Sequence, residues 1–353
     1  MAAPARFPPH GVLLSEGDVR EERRAFHEEV LQTPRPVHGL ASTVIRVAEE
    51  ECAALLAPYA DGRGPVAELD WAAFDRAWWR IVRRIVLGDA ARDDLVLAEQ
   101  LRRLRAAANR PLSHRLSGPR RRALRDAFLR RLGGYLERAP AGSLAGIARR
   151  VPVSARTDPA GQLPHWLFAY DAAGMTTLRA LALLAAHPGQ AALAHGEAVP
   201  RGGGPRELPL LRAAALETLR LFPTTPLLLR ESTAGTVWHG ERVPPGTVFL
   251  LYAPYLHRAG PGAAYGDVFA PAHWTGGAAP GDPALVPFGA GPAGCPGENL
   301  VLLTVSCVLA ALLRGHSHRL TSHPALNPLL PVPAALDPFA LRFRVTPHAD
   351  AGR

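Results

Sequence analysis

Apolar positions repeat at spacings of three and four over most of this chain, and that period predicts helix after helix. Phe74, Ala77, Trp78, Ile81, Val82 and Ile85 make one broad apolar face on a helix that Gly88-Asp89 ends. The same spacing runs through Val44 to Leu56, Leu95 to Ala107, Arg121 to Leu136, Leu163 to Ala186, Leu208 to Leu221 and Leu300 to Leu313. Strand signals are short and come late. Leu227 to Glu231, Thr236 to His239, Thr247 to Leu251 and Phe339 to Val345 are β-branched, aliphatic or aromatic runs separated by Gly and Pro turns such as Val243-Pro-Pro-Gly246. Gly202-Gly-Gly-Pro205 reads as a flexible connection between helices rather than a domain boundary. The expectation is a mainly α chain with a small β region, helix-rich over 13–226 and mixed over 227–353, organised as a single domain over 1–353.

Composition narrows the classes. Cys52, Cys295 and Cys307 are an odd number without a C-x-x-C pair, which argues against a disulfide framework and a zinc site and fits a reducing cytoplasm. No signal-peptide pattern follows Met1, and no uninterrupted apolar run is long enough to cross a bilayer, so a soluble chain without a membrane partner is expected. The net charge of +9 comes from 40 basic residues, all arginine, in a chain rich in Gly and Pro, which looks like a bias toward GC-rich codons. Its densest cluster, Arg120-Arg121-Arg122 with Arg125, Arg130 and Arg131, lies on a predicted helix without interleaved aromatics. A solvated helix face, not a nucleic-acid surface, is the reading that follows.

The chemistry is concentrated in Phe288-Gly-Ala-Gly-Pro-Ala-Gly-Cys295-Pro-Gly297, a cysteine in a glycine-rich, proline-stiffened loop just before the helix from Leu300 to Leu313. A helix N-terminus offers free N–H groups and partial positive charge, which favour an ionised sulfur. Gly289, Gly291, Gly294 and Gly297 let the backbone turn tightly and let a flat ligand approach. Gly289-x-Gly291-x-x-Gly294 also matches a dinucleotide fingerprint, but no strand run precedes it and no acidic residue follows at the required distance. A buried structural cysteine is the third reading.

Phenylalanine seven residues before a cysteine, with glycines six and four before it and two after, resembles the heme-binding loop of the cytochrome P450 family. The resemblance implies heme b with Cys295 as the axial thiolate, Phe288, Gly289, Gly291 and Gly297 around it, and a cytochrome P450 fold. Further segments resemble the same family. Glu217-Thr-Leu-Arg220 matches its E-x-x-R helix, and Phe269-Ala-Pro271-Ala-His273-Trp274 matches the segment that completes the ion-pair network, with His273 where arginine is expected. Ala173-Gly174-Met175-Thr176-Thr177 resembles the oxygen-binding stretch, placing Thr177 at the alcohol position and Thr176 where the family has an acid. Arg230 matches a propionate-binding position. Arg20-x-x-x-Arg24 resembles the aromatic-or-His-x-x-x-Arg helix, with Arg24 toward a propionate, Arg20 in place of the aromatic, and Ala293 where His or Arg often stands.

The resemblance runs from about Leu13 to the C-terminus and begins at a helix that family members reach only after a sizeable N-terminal region, so an N-terminally shortened member is expected. It implies an enzyme of bacterial type that acts as a monomer in secondary metabolism, using O2 to monooxygenate a small hydrophobic compound. Electrons would come from NAD(P)H through a reductase and a ferredoxin or flavodoxin. Two alternatives remain: a peroxide-dependent or non-oxygenating enzyme, motivated by Thr176, and a heme-binding or heme-free pseudoenzyme, motivated by the absent N-terminal region, Ala293 and His273.

Overall fold

The computed structural model describes residues 10–348 apart from 60–67, 110–117, 200–204, 206, 260–264, 277–281, 283 and 323–325. Most of the Gly202–Pro205 connection therefore lies outside the described residues.

In chain order the helices are α1 (Gly17–Leu31), α2 (Ala41–Leu56), α3 (Trp71–Leu87), α4 (Leu95–Asn109), α5 (Gly118–Glu137), α6 (Leu144–Ala148), α7 (Pro159–Ala186), α8 (Pro188–Ala198), α9 (Pro209–Leu221), α10 (Ala253–Ala259), α11 (Ala272–Thr275) and α12 (Glu298–Leu313). The strands are β1 (Glu68–Asp70), β2 (Leu227–Glu231), β3 (Thr236–Trp238), β4 (Glu241–Val243), β5 (Val248–Tyr252), β6 (His316–Leu320) and β7 (Arg342–Pro347). The mainly helical expectation holds, with small sheets only. The long periodic runs fall on α2, α3, α4, α5, α7, α9 and α12. The helices without a broad apolar stripe, α6, α8, α10 and α11, escape the pattern because they are short or Ala- and Gly-rich.

Helix α12 is apolar on nearly every side because it is the central helix: Leu302, Val305, Val308, Leu309 and Leu312 are each buried. It packs against α2, α7, α8 and α9, while α3 joins α2 and α7. Helix α7 starts at Asp158, whose side chain accepts from Gly161 N–H, with Pro159 in the first turn, and stops where His187-Pro188 follows. Its 28 residues make it long and apolar enough to cross a membrane by length and composition, which corrects the expectation of no such segment; 67% of the qualifying window is buried inside the protein.

Strand β1 pairs antiparallel with β7, and β7 with β6, so one sheet joins the helix-rich part of the chain to its end. Strands β1, β4 and β6 are missing from the sequence expectation: β1 and β4 have three residues each, and His-Ser-His-Arg-Leu offers little strand propensity. A ribbon of β2 and β5 places Arg230 opposite Phe249, and β3 pairs with β4 in a hairpin.

Close packing between α3 and α7 is set by Gly174. A Cβ there would lie 2.8 Å from Nε1 of Trp78, whose N–H donates to the Tyr170 carbonyl at 2.9 Å. Gly174→Ala is expected to lower stability by about 1–3 kcal/mol through overpacking. Denaturant unfolding checks this, and an unchanged midpoint would contradict it.

Candidate cofactor-binding site

One fully buried ion pair on α9 anchors a segment that precedes the cysteine loop in the chain. The Arg220 guanidinium donates from Nε and Nη2 to the two Glu217 carboxylate oxygens, each at 2.8 Å, and neither side chain is more than 1% exposed. Its remaining N–H groups donate to the carbonyls of His257, Tyr265, Gly266 and Val268 at 2.9–3.2 Å. Glu217 in turn accepts from Ala270 N–H and Trp274 Nε1–H, both at 2.9 Å. A buried pair persists only when its spare donors and lone pairs are satisfied, and here they are. The Arg220 ring of acceptors thus clamps the chain from His257 to Trp274.

The third partner is Trp274, which corrects the assignment of His273. Pro271 begins the single turn of α11, and that turn carries the indole inward while His273 stacks on Tyr265 at a centroid distance of 3.9 Å. Tyr265 presents its other contact to Arg220, whose guanidinium carbon is 5.2 Å from the ring centre. An aromatic N–H replaces the expected cation.

The cysteine loop is closed by its own backbone. Cys295 N–H donates to the Phe288 carbonyl at 2.8 Å, Gly289 N–H to Val286 and Gly294 N–H to Gly291. Gly289 and Gly291 have φ of +74° and +61°, which only glycine adopts without strain. Phe288 packs on the core at one end of the loop, and Gly297 starts α12 at the other without a side-chain cap. Helix α1 and the turn after it hold the loop from outside: Arg24 Nη1 donates to Gly294 O at 2.6 Å, Thr33 Oγ1 to Pro296 O at 2.8 Å, and Asn299 Nδ2 to Thr33 O at 2.7 Å. Thr33 and Asn299 carry no signal in the sequence; only their position against the loop identifies them.

Cys295 is half-buried and free. Burial pushes its thiol above the usual range, and Glu298 adds to that, while the N–H groups of Gly297 and Glu298 and the charge of Arg24 pull it down. The helix N-terminus therefore acts in the expected direction but does not by itself ionise the sulfur. A bound cation would.

Among the described residues no group of three His, Cys, Asp or Glu side chains is placed to hold a metal ion. A metal taken up at Cys295 would receive a protein sulfur and would bring most of its ligands with it, as a metal macrocycle does. Arg24 is a cation that the structure places against the cysteine loop, where it suits a carboxylate. Arg230 is exposed and donates only to the Leu229 carbonyl, and Arg20 has no ion pair among the described residues. Arg24 is held by Glu28 and by Gly294 O beside the cysteine. The donor set fits heme.

The expected oxygen-binding residues lie on the buried side of α7. Thr177 is fully buried and its hydroxyl donates to Ala173 O at 2.8 Å; Thr176, 3% exposed, donates to Ala172 O at 2.9 Å. Ala173 is buried, and Gly174 faces Trp78. The structure does not bring these four residues onto the half-exposed face of α7, which carries His165, Phe168, Ala169, Ala172 and Met175.

A helical core with small sheets thus presents one cysteine between a glycine loop and an apolar helix. The fold of the chain is the cytochrome P450 fold. The family model described as cytochrome P450 matches residues 173–333. Similar curated proteins include a probable cytochrome P450 312a1 of Drosophila melanogaster, 34% identical over 31% of this chain and 22% of its own length. Cytochrome P450 714C3 of Oryza sativa subsp. japonica is 33% identical over 41% of this chain and 30% of its own. An isoflavone 2'-hydroxylase of Medicago truncatula is 34% identical over 36% and 24%. The matched segments thus span less than a third of these relatives. The fold likeness is wider. A 6-coordinated cytochrome P450 from Thermus thermophilus has a TM-score of 0.66 at 22% identity, covering 98% of this chain and 85% of that one. A zebra fish cytochrome P450 with progesterone reaches 0.73 at 20%, covering 98% and 88%.

Two outcomes follow. Trp274→Phe leaves one Glu217 oxygen without its donor and should cost about 1–3 kcal/mol, whereas His273→Ala should cost clearly less; equal losses in denaturant unfolding would contradict the assignment. Burial holds His27 of α1, which contacts the α7 residues Gln162 and Trp166, down to about 4 from 6.5. The unfolded chain therefore takes up this proton first, and stability falls as pH drops from 6.5 toward 4. At pH 5 the loss is about 2 kcal/mol, so His27→Asn should show a shallower decline between pH 7 and pH 5. Parallel curves would contradict it.

Proposed function

We propose that this chain binds heme b through Cys295 and oxidises a small hydrophobic organic compound by oxygen transfer, as a heme-thiolate oxygenase. The observation that carries the reading is the half-buried Cys295 Sγ, in a loop held by Phe288 O, Arg24 and Thr33, with no group of three metal-ligating side chains among the described residues. When bound, the heme supplies oxygen activation, with the thiolate's electron density favouring O–O cleavage. The protein's part is to hold and shape. Cys295 Sγ would hold the iron; Arg24 and Arg230 would take the carboxylates as charge-assisted partners. Gly289 and Gly291 would let a flat group approach the loop backbone, and Phe288 would pack beside it. Phe168, Ala169, Ala172 and Met175 offer an apolar wall for a hydrophobic substrate.

In the dioxygen form of this reading, electrons arrive from NAD(P)H through a reductase and a ferredoxin or flavodoxin, in the cytoplasm, and the product belongs to secondary metabolism. The similarity to a relative named as a hydroxylase supports oxygen transfer. A peroxide-driven form is favoured by one observation: the hydroxyls of Thr176 and Thr177 are both spent on carbonyls of their own helix.

The absorption spectrum of the reduced, carbon-monoxide-bound protein tests the reading. A red-shifted, thiolate-type Soret band is expected in the unaltered protein and is expected to vanish in Cys295→Ala. A band that survives that substitution, or no heme uptake by the unaltered protein, would overturn it.

A further inference from the structure

The sheet of β1, β7 and β6 has two unequal edges. On one side β1 sets Glu68 opposite Arg344 and Asp70 opposite Arg342, so opposite charges line that pairing. On the other side β6 sets Arg319 opposite the same Arg344, both exposed, and like charges directly across a strand pair weaken it.

The inner face of β6 carries a second weakness. His318 is 8% exposed and stands edge-on to Phe343 with ring centres 6.4 Å apart, and neither of its ring nitrogens has a hydrogen-bond partner among the described residues. An imidazole without partners is tolerated in such a place only while it is neutral. Burial, with His316, His195 and His348 adding to it, pushes its titration down from 6.5 to about 3.

Those three histidines come from three elements. His316 lies two residues away on β6 and donates from Nδ1 to Arg314 O at 3.2 Å. His348 follows β7, its backbone N–H donating to Gly315 O at 2.8 Å, and His195 of α8 meets it with ring centres 5.1 Å apart. Burial holds His195 below its usual range, and His348 adds to that. No carboxylate is among the groups acting on His318. Helices α7 and α12 also pack on β6, but their charged and titratable groups are spent elsewhere: Arg179 donates to Leu336 O, His187 bonds Leu183 O, and Arg314, just after α12, pairs with Glu49.

We propose that β6 is an acid-released strand: His318 takes up a proton and β6 parts from β7 and α7, while β7 stays paired with β1 and the helical core stays folded. Opening gives the ring water and returns its ordinary affinity for a proton. The closed form is therefore fully favoured above pH 6.5 and loses ground as pH falls from 6.5 toward 3. His195, His316 and His348, once charged, repel in the same direction, and Arg319 against Arg344 resists reclosing. Nothing in this device depends on what Cys295 binds.

Amide hydrogen exchange of the native protein tests it, read by mass spectrometry on peptides from β6, β1 and α12 and corrected for the intrinsic rate at each pH. Between pH 7 and pH 5 the protection of β6 should fall about 30-fold, and that of β1 and α12 clearly less. His318→Leu suits the apolar surroundings and His318→Gln keeps a polar group that does not titrate; both should flatten the fall in β6. Unchanged protection of β6 in the unaltered protein overturns the inference, as does an equally steep fall in both variants. A fall that β1 and α12 share in full also overturns it, because the opening would then be global.

Discussion

The Glu217–Arg220 pair is the interaction on which the site depends. Two charges without water around them are costly to bury, and here each finds further partners: Arg220 four carbonyls from residues 257–268, Glu217 the Ala270 amide and the Trp274 indole. The consequence is positional. Helix α9 also packs on α12 and α7, so the clamped segment, the helix that follows the cysteine and the long helix opposite share one rigid frame. The loop from Phe288 to Gly297 is closed by its own short backbone bonds and held from outside by Arg24 and Thr33.

Within that frame the chemistry of Cys295 is a balance rather than a gift of the helix terminus. Amide N–H groups and Arg24 favour the ionised sulfur, but burial outweighs them. The protein presents a sulfur that a metal would ionise on binding, which is a sensible state for a ligand that must not react before its partner arrives.

Much of the fold was legible because long amphipathic or apolar runs override local detail: α3, α7, α9 and α12 fall where the spacing of their apolar residues puts them. The loop was legible because glycine spacing around a cysteine is specific. What escaped was three-dimensional. Glu217 and Arg220 are three apart on a helix, but nothing in Ala-Pro-Ala-His-Trp says that the tryptophan rather than the histidine turns inward; the one-turn helix after Pro271 decides it. Ala173-Gly174-Thr177 matched a motif, yet helix rotation is set by packing, and Trp78 against Gly174 turns that side into the core.

The central claim is that Cys295 supplies the single protein sulfur on the iron of a bound heme. X-ray absorption at the iron edge of the heme-loaded protein measures that directly. One sulfur scatterer in the first shell, lost in Cys295→His, is the predicted result; a shell of nitrogen and oxygen alone in the unaltered protein would contradict it.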